Sequence, residues 1–338
     1  MDEFITNIIK GSLYKINDVK EGVVQLTELQ NKRAIKFLNE LRKDIEKNNT
    51  TVCLRGENYF NLSEKLFHQN ERVSNKFSSE FYRRCFLLGD KSKTNYLCSY
   101  NNNNPIPWSM DIGKVSPVDF EFIFYEMSYF VRGNNFNWNN DNSNFVEYFA
   151  NNDNRSKFIL LANKLTSSDQ LLTRDYYCWL LHTAANQRFH SYSYYVSTTT
   201  DPEISDSYSN ENGPVSILYF IPKPIYRFAT SCETILKASK LLININLPVI
   251  NSEVYPDEFE ISIKGGLFPH FIIGFYEYEN DKFVFNHHLF KNSNKSIKSI
   301  FKNGLEIDQS DFFEYIKKTS YHSGVAMFSD GRFSKIET

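Results

Sequence analysis

Two glutamates stand two residues apart in Tyr255-Pro256-Asp257-Glu258-Phe259-Glu260-Ile261-Ser262-Ile263. If a strand starts at Glu260, its period of two puts Glu258 and Glu260 on the same side of the extended chain. Two carboxylates aimed into one cleft can divide the work. One stabilises a developing cation, and the other orients or deprotonates an attacking group. Glu-x-Glu is also common on solvated strands, so the pair gains meaning only from partners elsewhere in the chain.

Two other stretches could supply them. Thr51-Val52-Cys53-Leu54 reads as a buried strand running straight into Arg55-Gly56. A guanidinium at a strand end can fork onto a phosphate, and glycine lets a ligand approach the backbone. A salt-bridged surface arginine with a turn glycine fits the same residues. Residues 190–196 alternate as a strand and lead into Ser197-Thr198-Thr199-Thr200-Asp201-Pro202. A hydroxyl cluster leaving a strand can line a cleft and cap the next segment.

The elements that must position these residues follow from periodicity. Ala34, Phe37, Leu38, Leu41 and Ile45 keep helical spacing within 32–47. A helical pattern surrounds residues 62–67. Ser116-Pro117-Val118-Asp119 carries a cap residue, a first-turn proline and a carboxylate at the positive end, and predicts a helix to Val131 stopped by Gly133. Helices are predicted over 155–165, 173–185, 233–242 and 311–318. Strands are predicted over 215–221, 267–276 and 282–288. Residues 1–30 are weakly patterned, and 101–107 and the asparagine-rich 134–144 read as loops.

Composition narrows the class. Of 338 residues, 41% are hydrophobic, 23% charged and 16% aromatic, with 30 Phe and 21 Tyr, as for a folded chain rich in rings. The net charge of −2 gives no global pull toward nucleic acid or anionic lipid. The five widely spaced cysteines include no Cys-x-x-Cys pair, which argues against a disulfide framework or zinc site and for a reducing compartment. Met1-Asp2-Glu3-Phe4 shows no apolar signal region, and no apolar run approaches the roughly 20 residues that span a bilayer. The expectation is a cytoplasmic protein with no membrane partner and no metal. His287-His288 would point to opposite faces of a strand and so would not pair on a metal. His270 reads as a structural histidine.

Taken in order, Leu54-Arg55-Gly56, Tyr195-Val196-Ser197-Thr198-Thr199 and Glu258-Phe259-Glu260-Ile261 resemble the motifs of the arginine–serine–glutamate class of mono-ADP-ribosyltransferases. That class includes bacterial ADP-ribosylating toxins and related phage and vertebrate enzymes. The resemblance covers about Val52 to Phe285. It implies an α+β, ADP-ribosyltransferase-like fold: two small, mainly antiparallel sheets packed around an NAD cleft, with helices around them. It implies NAD+ as substrate and no metal. Arg55 would bind the phosphates and adjacent ribose, and Gly56 backbone groups the nicotinamide amide. Tyr208 would lay its ring on the nicotinamide. Ser197 would orient Glu260, and Thr199 would support the strand end. Glu260 would hydrogen-bond the ribose 2′-hydroxyl and stabilise the cation, while Glu258 would act on the acceptor. Three departures stand out: Ser-Thr-Thr replaces the usual Ser-Thr-Ser, Ser262 interrupts the apolar run, and no Arg or Lys lies between Arg188 and Lys223.

The expected organisation is an N-terminal helical segment over 1–50, a transferase domain over 51–288 and a C-terminal extension over 289–338 packed on the core. The acceptor implied is a macromolecule, with a protein arginine slightly ahead of a nucleic-acid base. Basic-aromatic stretches at 81–86, 91–93 and 291–302 bear on the second. An antitoxin or chaperone partner suits a toxin-like enzyme of a toxin–antitoxin or anti-phage system. Hydrolysis of NAD+ with water as acceptor, and a non-catalytic module gripping nucleic acid or protein, are the alternatives.

Overall fold

The computed structural model describes residues 1–17, 19–47, 52–67, 78–90, 115–133, 142–184, 195–209, 214–251, 259–291, 295–307, 325–329 and 332–336. The helix predicted at 311–318 and the loop at 101–107 lie outside these, as do Lys91–Lys93 and Glu258. In chain order the elements are α1 (Asp2–Lys10), β1 (Leu13–Ile16), β2 (Val23–Gln25), α2 (Glu28–Ile45), β3 (Val52–Asn58), α3 (Tyr59–Leu66) and α4 (Ser79–Leu88). Then come α5 (Pro117–Arg132), α6 (Ser143–Ala150), α7 (Asn154–Asn163), α8 (Ser167–Ala184), β4 (Tyr195–Thr199) and α9 (Pro202–Ser207). Further along are β5 (Pro214–Phe220), β6 (Ala229–Thr230), α10 (Cys232–Asn244), β7 (Glu260–Lys264), β8 (Ile272–Glu277), β9 (Lys282–Phe285), α11 (Ile297–Asn303), β10 (Val325–Ser329) and β11 (Arg332–Ile336), with single helical turns at Ile225–Phe228 and His288–Lys291.

The strands hydrogen-bond in the order β2-β1-β9-β8-β5-β3-β4-β7-β6, with β10-β11 as a separate pair. The mixed α and β composition agrees with an α+β reading. The expectation of two small packed sheets does not hold: β4 has β3 on one edge and β7 on the other, so the ladder continues where a second sheet would have begun. The chain forms two compact units. The first comprises 1–100, 197–225 and 266–338, and the second 101–196 and 226–265.

In the first unit β3 pairs antiparallel with β5 along its length, from Val52↔Phe220 to Asn58↔Pro214, and meets β4 at Leu54↔Thr199. Next to β5, β8 and β9 continue antiparallel, and β1 joins β9 in parallel register. Residues 1–50, read as a helical segment, therefore also contain two strands. They are too short to show a period. α2 behaves as its spacing predicts. Thr27 and Gln30 form a reciprocal capping box, and Ala34, Phe37, Leu38, Leu41 and Ile45 are buried. The rings of Phe81, Tyr82 and Phe86 on α4 are buried against Phe275 of β8. The rings of 81–86 are thus core and offer no surface for base stacking, while Arg83 is exposed. Phe301 likewise packs on Phe37 and Phe220. Two strands are shorter than predicted: β8 begins only at Ile272, after a 3₁₀ turn over Pro269–Phe271, and β9 stops at Phe285.

The second unit is built on α8. Phe120, Phe124, Phe149, Phe158 and the α8 residue Tyr177 form one aromatic cluster, with ring centroids 5.3–6.2 Å apart in its edge-on pairs. α5 starts as expected, with Ser116 N–H donating to Asp119 Oδ2 at 2.9 Å and Pro117 in the first turn. β6 and β7 pair antiparallel through Ala229↔Ile263 and Thr230↔Ser262.

The buried histidines of the first unit carry a pH signature. Because β9 ends before them, His287 and His288 lie side by side with ring centroids 4.0 Å apart and planes tilted by 39°; they do not straddle a strand as expected. Burial pushes the His270 imidazole down from 6.5 to about 3. Burial, with the neighbouring His288, pushes His287 down from 6.5 to about 2. The unfolded chain therefore binds these protons more readily than the fold does. Their contribution to stability is complete above the ordinary imidazole value and is lost as pH falls toward the folded values. Denaturation midpoints should fall progressively from about pH 6.5 to pH 4, and less steeply in His287→Asn. Parallel profiles for the two proteins would contradict this assignment.

Candidate functional site

The candidate residues divide between the units: Arg55, Gly56, Ser197, Thr199 and Tyr208 belong to the first, and Glu260 to the second.

In the first unit Arg55 sits within β3, past the buried Val52-Cys53-Leu54. Its guanidinium donates through Nη1 to the carbonyl of Ser197 at 2.9 Å. Through Nε and Nη2 it donates to Glu57 Oε1 at 3.1 and 2.7 Å. Asp90 adds a carboxylate oxygen 3.8 Å from Nε. The Arg55 side chain is 23% exposed, against 5% for Glu57 and 1% for Asp90. An arginine ringed by two buried carboxylates and a carbonyl has its fork held in one orientation. An incoming phosphate would share the guanidinium with Glu57. Period two along β3 places Glu57 beside Arg55 and could have found this partner. Asp90 left no such signal, since it arrives from a bridge to Leu267.

Gly56 serves the packing of α9. A Cβ there would lie 2.0 Å from the carbonyl oxygen of Ser205 and 3.3 Å from the Cβ of Tyr208. Only glycine lets β3 approach the helix so closely. Tyr208 follows α9 directly and is exposed. Ser197, Thr198 and Thr199 close β4, as the motif reading places them, and Thr200 leaves the strand. Thr199 Oγ1 accepts from Asp201 N–H at 3.0 Å, which turns the chain into α9, and Asp201 caps that helix through Glu203 N–H. Thr198 is buried and hydrogen-bonds the Cys53 thiol, whose pKa burial pushes up to about 12.

In the second unit Glu260 is the first residue of β7 and is partly buried. Its Oε1 accepts from Ser262 Oγ at 2.9 Å and stands 3.7 Å from His182 Nε2 of α8. Ser262, which breaks the apolar run in sequence, therefore supports the carboxylate; period two makes that legible. His182 carried no sequence signal. Further along β7, Lys264 donates to Asp175 and to the carbonyl of Tyr226. Asp175 also accepts from Arg174 Nε at 3.2 Å. Burial pulls the Lys264 ammonium down, against the pull of Asp175.

The residue before Glu260 alters the strand argument. Phe259 is 59% exposed and has φ 46°, in the left-handed region that bulky residues rarely adopt. The backbone is therefore not extended at Phe259, and β7 begins at Glu260. Strain of this kind collects at functional sites.

Among the described residues no group of three or more His, Cys, Asp or Glu could hold a metal, and no helix is long and apolar enough to cross a membrane. No family model, curated protein or solved structure matches the chain.

The close approach at Gly56 yields a direct test. Gly56→Ala should destabilise the protein by about 1–3 kcal/mol, because α9 must move to admit the methyl group. Urea unfolding measures this, and an unchanged midpoint would show that α9 yields freely.

Proposed function

We propose that the chain is a toxin-like mono-ADP-ribosyltransferase of the arginine–serine–glutamate class. It moves ADP-ribose from NAD+ to an intracellular macromolecule, with a protein arginine the favoured acceptor and a nucleic-acid base behind it. The observation that carries this reading is the hydrogen bond from Arg55 to the Ser197 carbonyl, which joins the first two motifs of the ordered set. Glu260, the third, opens β7 with its carboxylate held by Ser262. The burial of Phe81, Tyr82 and Phe86 takes the rings of one basic-aromatic stretch away from any base, which supports the protein acceptor.

In this reading Arg55 binds the diphosphate, Gly56 backbone groups the nicotinamide amide, and Tyr208 the nicotinamide face. The bond between nicotinamide and ribose breaks, and nicotinamide leaves with the electron pair. The Glu260 carboxylate stabilises the positive charge left on the ribose. An acceptor nitrogen then bonds to the anomeric carbon and loses a proton, a step in which Glu258 acts. A toxin of this kind, in a toxin–antitoxin or anti-phage setting, would be restrained by an antitoxin or chaperone.

The test uses NAD+ labelled in its adenylate, incubated with the protein and a cell lysate, followed by protease or nuclease. Label released by protease supports a protein acceptor, and label lost only to nuclease overturns it. Free ADP-ribose alone would indicate a glycohydrolase, and no turnover a non-catalytic binding module. Glu260→Gln should lower turnover by about 100-fold or more, in line with removal of a charge-stabilising group; an active variant would place the site elsewhere. Glu258→Gln should spare NAD+ cleavage more than transfer, and equal loss of both would refute the division of labour between the glutamates.

A further inference from the structure

In the second unit one face of β7 meets one face of α8. Glu260, Ser262 and Lys264 stand at alternate positions of the strand. Asp175, Cys178 and His182 lie three and four residues apart on the helix, and so share a side. The two elements meet at two polar points. At one, Lys264 donates to Asp175. At the other, His182 Nε2 stands 3.7 Å from Glu260 Oε1.

The imidazole has a defined place. His182 is 4% exposed. Its ring lies 5.7 Å from the ring of Tyr195, centroid to centroid. The Tyr195 hydroxyl donates to the Asp175 carbonyl at 3.1 Å and is paired with Thr230 Oγ1 at 2.9 Å. The ring that bounds His182 is thus tied both to α8 and to β6. A buried imidazole held in this way is aimed at the carboxylate by its surroundings.

We propose that His182 is a positioning residue for Glu260. The imidazole and the Ser262 hydroxyl approach the same oxygen, Oε1, from the helix and from the strand, and together they set the orientation of the carboxylate. This rests on the transferase reading of Glu260. Orientation matters there because a carboxylate stabilises a developing cation only from the correct position. Lys264 and Asp175 hold the far end of the strand, so β7 cannot slide past α8 without breaking both points.

The test compares wild type, His182→Ala and His182→Gln in NAD+ turnover, and follows the His182 ring resonances by NMR in wild type and Glu260→Gln. His182→Ala should lower kcat about 10-fold or more, the scale on which residues supporting a reactive group act, while the KM for NAD+ changes less than about twofold, as expected when orientation in the transition state is lost. His182→Gln, which keeps an N–H donor, should recover most of kcat. Full activity in His182→Ala, or equal loss in both variants with a lowered melting temperature, would overturn the proposal. The His182 resonances should shift in Glu260→Gln. Resonances that do not move overturn the pair whatever the turnover. Resonances that move in a wild type without turnover support the pair and overturn the transferase reading.

Discussion

The buried ion pair of Lys264 and Asp175 is the constraint on which the second unit turns. Taking an ammonium and a carboxylate out of water costs several kcal/mol each, and their attraction offsets this only with good geometry and further hydrogen bonds. Here those bonds are present: Lys264 also donates to the Tyr226 carbonyl, and Asp175 also accepts from the fully buried Arg174. An apolar pair could hold β7 on α8 with less desolvation. What the ions add is register. A slip of one residue along β7 would send Glu260, Ser262 and Lys264 to the opposite face. With Lys264 held, Glu260 falls beside His182, and Ser262 lies between them on the same strand.

The first unit depends on a steric constraint of a different kind. Gly56 brings β3 against the backbone of α9 at a distance no side chain permits. That contact sets Tyr208 close to Gly56, and at the adjacent position of β3 the Arg55 guanidinium meets Ser197, Glu57 and Asp90. An arginine so surrounded contributes shape and orientation more than free positive charge. This bears on the proposed diphosphate site. No lysine or arginine follows the serine motif before Lys223, so Arg55 is the cation on which that reading leans, and its acidic neighbours tune how strongly it can hold an anion.

Local patterns decided much of the molecule. The period of α2, the cap and proline that open α5, and the apolar run of β3 follow from residue types within a few positions of one another, and the structure keeps each. The pairings Arg55–Glu57 and Glu260–Ser262 belong to the same level, because a strand returns a side chain to the same face every second residue. Where the sequence misled, a neighbour outside the window intervened. The rings of 81–86 look like a stacking surface until Phe275 of β8 covers them.

The amino-acid sequence by itself determined the longer, strongly patterned elements, such as α2, α5 and β5, and the residue types able to do chemistry, because those depend on spacing along the chain. Only the tertiary structure decided that β4 carries β3 on one edge and β7 on the other, so that the ladder continues where two sheets were expected. Only the tertiary structure brought His182 to Glu260 and Asp90 to Arg55. These contacts join residues far apart in sequence. No periodicity encodes such a meeting, which depends on the packing of whole elements.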